Sequence, residues 1–221
     1  MTKAEARKII EDVGIIPGIR LSKPEPARFA AEAVYRSGIP VAEITMTVPG
    51  AIGVISHLAK TIPDLVVGAG TVLDAETARR CLDAGAKFLT STGLVREVVE
   101  VALESDAVVF PGAITPSEVI AAWKTGADFV KVFPCGVFGG PAYIRTLKQP
   151  FPQVSLIATG GVNQQTAGNF ILAGASALGI GAELINPEGL PDMREEQIRE
   201  LARRYLAMVK NARAQLGAQS L

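Results

Sequence analysis

The segment KTGADFVKVF, Lys124 to Phe133, decides the fold. Gly126 fits the C-cap of a preceding helix, and an apolar strand starts almost at once. The same phrase recurs as SGIPVAEI from Ser37, DAGAKFL from Asp83 and LAGASAL from Leu172, so one αβ unit is repeated along the chain. Working outward, eight short apolar runs separate helical stretches: IIPGIR from Ile15, AEITMT from Ala42, LVVGAG from Leu65, KFLTS from Lys87, AVVFPG from Ala107, FVKVF from Phe129, SLIATG from Ser155 and ALGIG from Ala177. Strands of this near-continuous apolar kind, alternating with helices, imply a parallel sheet covered on the outside. Eight units favour a closed (β/α)8 TIM barrel over a doubly wound open sheet.

Helix starts carry their own marks. Thr2 with Glu5, Ser22 with Glu25 and Thr115 with Glu118 have capping-box spacing, and Pro116 occupies a first helical position. The first pair places an amphipathic N-terminal helix before the first strand. From about Asp192 to Leu216 the pattern predicts a terminal amphipathic helix packed outside the barrel. The expectation is a single barrel domain spanning residues 1–221.

Composition removes several function classes. With 22 basic and 22 acidic residues the chain carries no net charge, so no nucleic-acid partner is expected. Apolar runs stop well short of the ~18 residues a membrane span needs. The opening MTKAEARKIIEDVG lacks the apolar core of a signal peptide, and a cytoplasmic location is expected. Two isolated cysteines, Cys81 and Cys135, read as reduced, buried small hydrophobes. His57 is the only histidine, which removes histidine-based metal sites and every triad built on imidazole. His57 reads as a helix-surface residue, and Trp123 and Met46 as packing residues. GAGTVL is not a dinucleotide fingerprint, because Leu73 occupies the third glycine position. No metal and no cofactor are expected.

In a barrel of this type chemistry sits where strands end and the following loops begin. Lys131 lies inside an apolar strand, where a charged amine is costly unless paired or used. Burial disfavours the charged form of an amine, and the neutral amine is what attacks a carbonyl. Glu43 interrupts the second strand on the same face as Thr45 and Thr47, where a carboxyl group can shuttle protons. The alternatives are a Lys131 whose head reaches water, or a Lys131–Glu43 ion pair that fills the barrel. Arg20 ends the first strand with the fork geometry that holds a carboxylate, and Thr71 can add a hydroxyl. Thr159, Gly160 and Gly161, before a helix expected near Asn163, form an anion cradle of unobstructed backbone amides. Gly179 to Gly181 offer a second after the eighth strand.

PGIR, EITMTVPGA, GAGTV, FPGAITPSE, KVFP, PFPQV and ATGGVN, in that order, resemble the family of 2-keto-3-deoxy-6-phosphogluconate (KDPG) aldolases and 4-hydroxy-2-oxoglutarate (KHG) aldolases, from about Ile10 to Ile185. The resemblance implies a homotrimeric barrel acting on a small 2-keto acid by a metal-free aldol mechanism. It makes Lys131 the Schiff-base lysine, Glu43 the general acid/base, and Arg20 and Thr71 the holders of the pyruvate carboxylate. Phe133 becomes the aromatic residue beside the imine, with Thr45, Thr47 and Thr92 near the pyruvate. Thr159, Gly160, Gly161, Gly181 and Ala182 fall at the phosphate end. The implied reactions are cleavage of KDPG to pyruvate and glyceraldehyde 3-phosphate, and of KHG to pyruvate and glyoxylate.

Four positions depart from the family pattern. Thr47 replaces the carboxylate-binding arginine of one branch, whereas a second branch uses the position of Arg20, as here. Thr92, in STGL, stands where proline is common. Ala182 stands where a serine usually follows the glycine turn, and Gly18 replaces a larger aliphatic residue. Two other readings stay open: a phosphosugar isomerase or epimerase with Glu43 as base, and a noncatalytic barrel that binds an acidic metabolite.

Overall fold

The computed structural model describes residues 1–186 and 195–219. Its first half runs α1 (Lys3–Val13), β1 (Ile15–Ile19), α2 (Pro24–Arg36), β2 (Val41–Thr45), α3 (Ala51–Thr61), β3 (Val66–Gly70), α4 (Ala75–Asp83), β4 (Phe88–Thr90), α5 (Arg96–Glu104) and β5 (Val108–Phe110). The second half runs β6 (Gly112–Ala113), α6 (Pro116–Trp123), β7 (Val130–Val132), α7 (Pro141–Lys148), β8 (Leu156–Thr159), α8 (Ala167–Leu172), β9 (Ala177–Ile180) and α9 (Glu195–Gln219), with a 3-10 turn at Gly136–Phe138 after β7.

All neighbouring strands pair in parallel, in the order β5-β4-β3-β2-β1-β9-β8-β7-β6. The ends of that order, β5 and β6, are two pieces of the fifth apolar run, interrupted at Pro111. A proline has no amide to give to a ladder, so the run is divided between its two neighbours. Its first piece pairs with β4 and its second with β7. Amides of the sixth run then close the ring, Lys131 onto the Pro111 carbonyl at 2.9 Å and Phe133 onto that of Ala113 at 3.1 Å. The barrel therefore has the eight expected staves in nine strand segments.

Two cores follow from strand alternation. Outward side chains pack under the helices, and inward ones fill the lower barrel with Ile16, Val41, Val66, Phe88, Val108, Phe110, Phe129, Ile157 and Ala177. Helix α1 closes the bottom of this inner core with Ala6 and Ile10. Its predicted capping box forms: the Glu5 carboxylate accepts from the Thr2 amide at 2.7 Å, and the Thr2 hydroxyl from the Glu5 amide at 3.2 Å. The Lys3–Asp128 ion pair at 3.1 Å anchors that helix, and Arg7 lies over the Phe129 ring. The Thr115–Glu118 box forms as well.

Two predicted helix starts are corrected. Ser22 does not cap α2; Lys23 occupies that position without a side-chain bond, because Pro24 takes the first helical place. Pro26, three residues after Lys23, has no amide for a cap to bind. The helix expected near Asn163 begins at Ala167. Asn163 instead folds a turn, its side-chain oxygen accepting from the amides of Gln165 and Thr166 at 2.9 and 3.0 Å.

The predicted start of the terminal helix at Asp192 lies outside the described residues. From Glu195 onward α9 buries Ile198, Ala202, Tyr205, Val209 and Ala212 on the outside of the barrel, as expected. Trp123, expected to pack, is 41% exposed. Among the described residues no helix is long and apolar enough to cross a membrane.

Cys81 and Cys135 are fully buried, and burial pushes both thiols up to about 11. At pH 8 a thiol with that value is about a thousandth thiolate, against roughly a quarter for an ordinary one near 8.5. A disulfide reagent at pH 8 is therefore expected to leave the native chain unmodified and to titrate two thiols after denaturation. Rapid stoichiometric labelling of the native chain would contradict this.

Candidate active site

The upper barrel is polar where the lower barrel is apolar, because each inward column changes character at the strand end. On β1 the column runs Ile16, Gly18, Arg20; on β2 it runs Val41, Glu43, Thr45; and on the sixth run Phe129, Lys131, Phe133. These columns surround a cavity of about 370 Å3. Of the residues singled out from sequence, Arg20, Glu43, Thr45, Thr92, Lys131, Phe133, Thr159, Gly160, Gly161, Gly181 and Ala182 line it.

Lys131 is 5% exposed and Glu43 is 7% exposed. Among the described residues no ion pair within 4.0 Å involves either one, so the barrel is not filled by a Lys131–Glu43 salt bridge. The lysine side chain is largely enclosed, with its head on the cavity. Its Nζ lies 5.8 Å from the centre of the Phe133 ring, close enough for a cation–π contact when the amine is protonated. A buried, unpaired amine beside a buried carboxyl is costly for stability and useful for proton and carbonyl chemistry.

Glycines make room for these groups, which sequence reading did not recognise. A Cβ on Gly70 would lie 1.9 Å from Glu43 Oε1, so the glutamate folds over a bare backbone on β3. A Cβ on Gly179 would meet the Thr159 hydroxyl at 2.3 Å. Among the described residues that buried hydroxyl has no hydrogen-bond partner. An unsatisfied donor of this kind costs about 1–3 kcal/mol, relieved when a ligand oxygen arrives.

Thr71, next after Gly70, holds the left-handed backbone conformation with φ of 59°. For a β-branched residue this costs on the order of 1–3 kcal/mol, a strain that recurs at ligand clamps. The conformation brings its hydroxyl 3.4 Å from Arg20 Nη2 at the rim, although Thr71 itself is not among the residues that line the cavity. Thr47 is corrected: it is exposed and does not line the cavity. The strand ends at Thr45, so alternation no longer turns residue 47 inward, and its hydroxyl supports that of Thr45 at 2.8 Å.

The anion cradle forms without a helix behind it. Gly160 and Gly161 take φ of 83° and 80°, and a Cβ on Gly161 would meet Gly136 Cα at 2.6 Å. The carbonyls of Thr159 and Gly160 accept from the amides of Cys135 and Gly136, both at 2.9 Å. Among the described residues the amides of Gly161 and Val162 have no acceptor. The opposite rim carries Ala182, which offers no hydroxyl, and Glu183, which the sequence reading missed. No ion pair joins Glu183 to a described residue. Its charge reaches the interior, since burial and then Glu183 push the Tyr205 phenol up to about 12. Among the described residues Arg20 and Lys131 are the cationic side chains lining the cavity, Lys131 buried within it and Arg20 exposed at its mouth.

A parallel eight-stave barrel with an unpaired amine, a carboxyl and an arginine fork at its mouth belongs to the class of barrel enzymes that act on small anionic carbonyl compounds. The family model for KDPG and KHG aldolases matches residues 6–201, and the chain belongs to that family.

It is 32% identical over 202 residues to the KHG/KDPG aldolase of Escherichia coli, covering 91% of this chain and 94% of that protein. It is 30% identical over 199 residues to the 2-dehydro-3-deoxy-phosphogluconate aldolase of Pseudomonas aeruginosa, covering 90% of each. Among solved structures, KDPG aldolase from Legionella pneumophila, with pyruvate captured at low pH as a covalent carbinolamine intermediate, superposes with a TM-score of 0.81. The two are 30% identical, over 89% of this chain and 96% of that one. A 3-hexulose-6-phosphate synthase, 20% identical with a TM-score of 0.70, shares the fold alone.

Proposed function

We propose that the chain is a Schiff-base aldolase that reversibly cleaves 4-hydroxy-2-keto acids to pyruvate and an aldehyde. The observation that carries this reading is Lys131, buried and unpaired, in one cavity with Glu43 and Arg20. The Lys131 amine adds to the C2 carbonyl, water leaves, and a protonated imine remains. Glu43 takes the proton from the C4 hydroxyl, directly or through a water. The C3–C4 bond breaks, its electron pair moves into the iminium, and an aldehyde departs from the resulting enamine. Glu43 then returns a proton to C3, and water hydrolyses the imine to free pyruvate and the amine. Arg20, with Thr71, holds the carboxylate in two hydrogen bonds, and Phe133 shields the imine from water.

The substrates are KDPG, giving glyceraldehyde 3-phosphate, and KHG, giving glyoxylate. The outer rim favours the shorter one. A phosphate would find amides at Gly161 and Val162 but a carboxylate at Glu183 and a methyl at Ala182. One missing hydroxyl bond to a charged group weakens binding by about 1.5–3 kcal/mol, roughly tenfold to a hundredfold. The chain works as one barrel domain of residues 1–221 and assembles as a homotrimer in the cytoplasm. Exposed Ile120, Trp123, Val137 and Phe138 support a contact between copies.

Incubation with pyruvate and borohydride is expected to leave a reduced adduct on Lys131, read by peptide mass, with KHG cleaved faster than KDPG by the same preparation. No adduct, or one on another lysine, would sink the imine mechanism and leave an isomerase acting through Glu43.

A further inference from the structure

Inward-facing glycines occur on several staves, and most are small because a neighbour occupies the space where a side chain would go. A Cβ would meet the Phe88 ring at 2.4 Å from Gly68, the Glu43 carboxyl from Gly70 and the Thr159 hydroxyl from Gly179. Gly18 is different. Within 4 Å a Cβ there would meet the Ile180 carbonyl oxygen alone, at 3.8 Å, so the space above it is open.

That open space belongs to the reaction cavity. Gly18 lines it together with Lys131 and Glu43, and its Cα pairs with that of Glu43 in the β1–β2 ladder. Both ionisable side chains are more than nine-tenths buried, and neither has an ion-pair partner among the described residues. Ile16, one inward position deeper on β1, gives the cavity an apolar floor.

Resting on the aldolase reading, we infer that the void over Gly18 is a subsite for an alkyl group on C3 of the keto acid, so that the chain takes 2-oxobutanoate as well as pyruvate. The placement follows from chemistry. Glu43 moves the proton at C3, so C3 lies beside Glu43, and Gly18 is the residue that faces Glu43 across the ladder. A methyl on C3 enters this open space, with Ile16 as its apolar floor.

Each step balances as it does for pyruvate. The Lys131 amine displaces the C2 oxygen of 2-oxobutanoate as water. Glu43 removes one of the two C3 protons, and the enamine carbon bonds to the aldehyde carbon, whose oxygen takes up a proton. Hydrolysis of the imine then releases a 3-methyl-4-hydroxy-2-keto acid and restores the lysine.

The test compares the two keto acids, each with glyoxylate as acceptor, and traps each with borohydride. The native chain is expected to form a Lys131 adduct with both and to use 2-oxobutanoate within roughly tenfold of pyruvate. A single methylene in an apolar pocket changes kcat/KM by roughly 10- to 200-fold. Gly18→Val is therefore expected to lower the 2-oxobutanoate to pyruvate ratio by that factor, and Gly18→Ala by less. Borohydride adducts with pyruvate show that each variant is folded. A native chain that traps pyruvate but not 2-oxobutanoate overturns the subsite and leaves the aldolase standing, as does a ratio unmoved by Gly18→Val. Failure to trap either keto acid overturns both.

Discussion

Lys131→Met is expected to lower kcat for pyruvate release by on the order of 10,000-fold or more while leaving the fold at least as stable as before. The loss is large because in the proposed cycle this amine forms the protonated imine that accepts the electron pair of the breaking bond, and among the described residues no other lysine lines the cavity. Stability is the sharper half of the expectation. Had Lys131 and Glu43 formed a structural ion pair, removing one partner would strand a buried charge at about 3–5 kcal/mol. They form none, and a methionine of similar volume packs in place of the lysine stem beside Phe133, so the change stays below about 1.5 kcal/mol. A coupled assay for pyruvate and a denaturant melt measure both quantities. Glu43→Gln should separate the roles, losing roughly 100- to 10,000-fold in turnover while still forming the borohydride adduct. Activity of Lys131→Met within tenfold of the native chain would end the Schiff-base reading.

Much of the fold was legible because its signals are local. A glycine cap followed at once by an apolar run fixes a helix end and a strand start within a few residues, and repetition of that phrase counts the staves. Where reading failed, two local rules competed. At Ser22 the capping-box spacing lost to Pro24, which prefers the first helical place. At Asn163 a side-chain turn used the amides that a helix start would have left free. The barrel's division at Pro111 follows from a missing amide, but only closure of the ring reveals which neighbours share the run.

The site divided along the same line. Lys131, Glu43 and Arg20 stood out as charges in or at the end of apolar runs, which is a property of each residue's own neighbourhood. Thr47 was placed by carrying strand alternation past the strand's end. Glu183 follows a glycine turn and carries no local signal that singles it out. The glycines were hardest to interpret, because their meaning lies in a side chain on another strand. Gly70 reads as the end of the apolar run LVVGAG, and only the parallel pairing of β2 with β3 shows that it makes room for Glu43.

Gly70→Ala is accordingly expected to lower kcat by roughly 100- to 10,000-fold, the range for losing a general acid/base, although position 70 touches no substrate. A Cβ 1.9 Å from Glu43 Oε1 cannot coexist with the carboxyl in its present place. Either Glu43 turns away or the β2–β3 pairing shifts, at about 1–3 kcal/mol for an overpacked interior. Gly168→Ala is the matched control. It lies in α8 with nothing within 4 Å of the added carbon, and alanine there should stabilise by about 0.4–1 kcal/mol. Trapping with pyruvate distinguishes displacement from collapse, because Lys131 stands on β7 and does not depend on where the Glu43 carboxyl rests. Gly70→Ala that still traps pyruvate but turns over slowly locates the fault at the proton transfer. If Gly70→Ala keeps full turnover, Glu43 is not the group that moves the proton, and the acid/base must be sought elsewhere in the cavity.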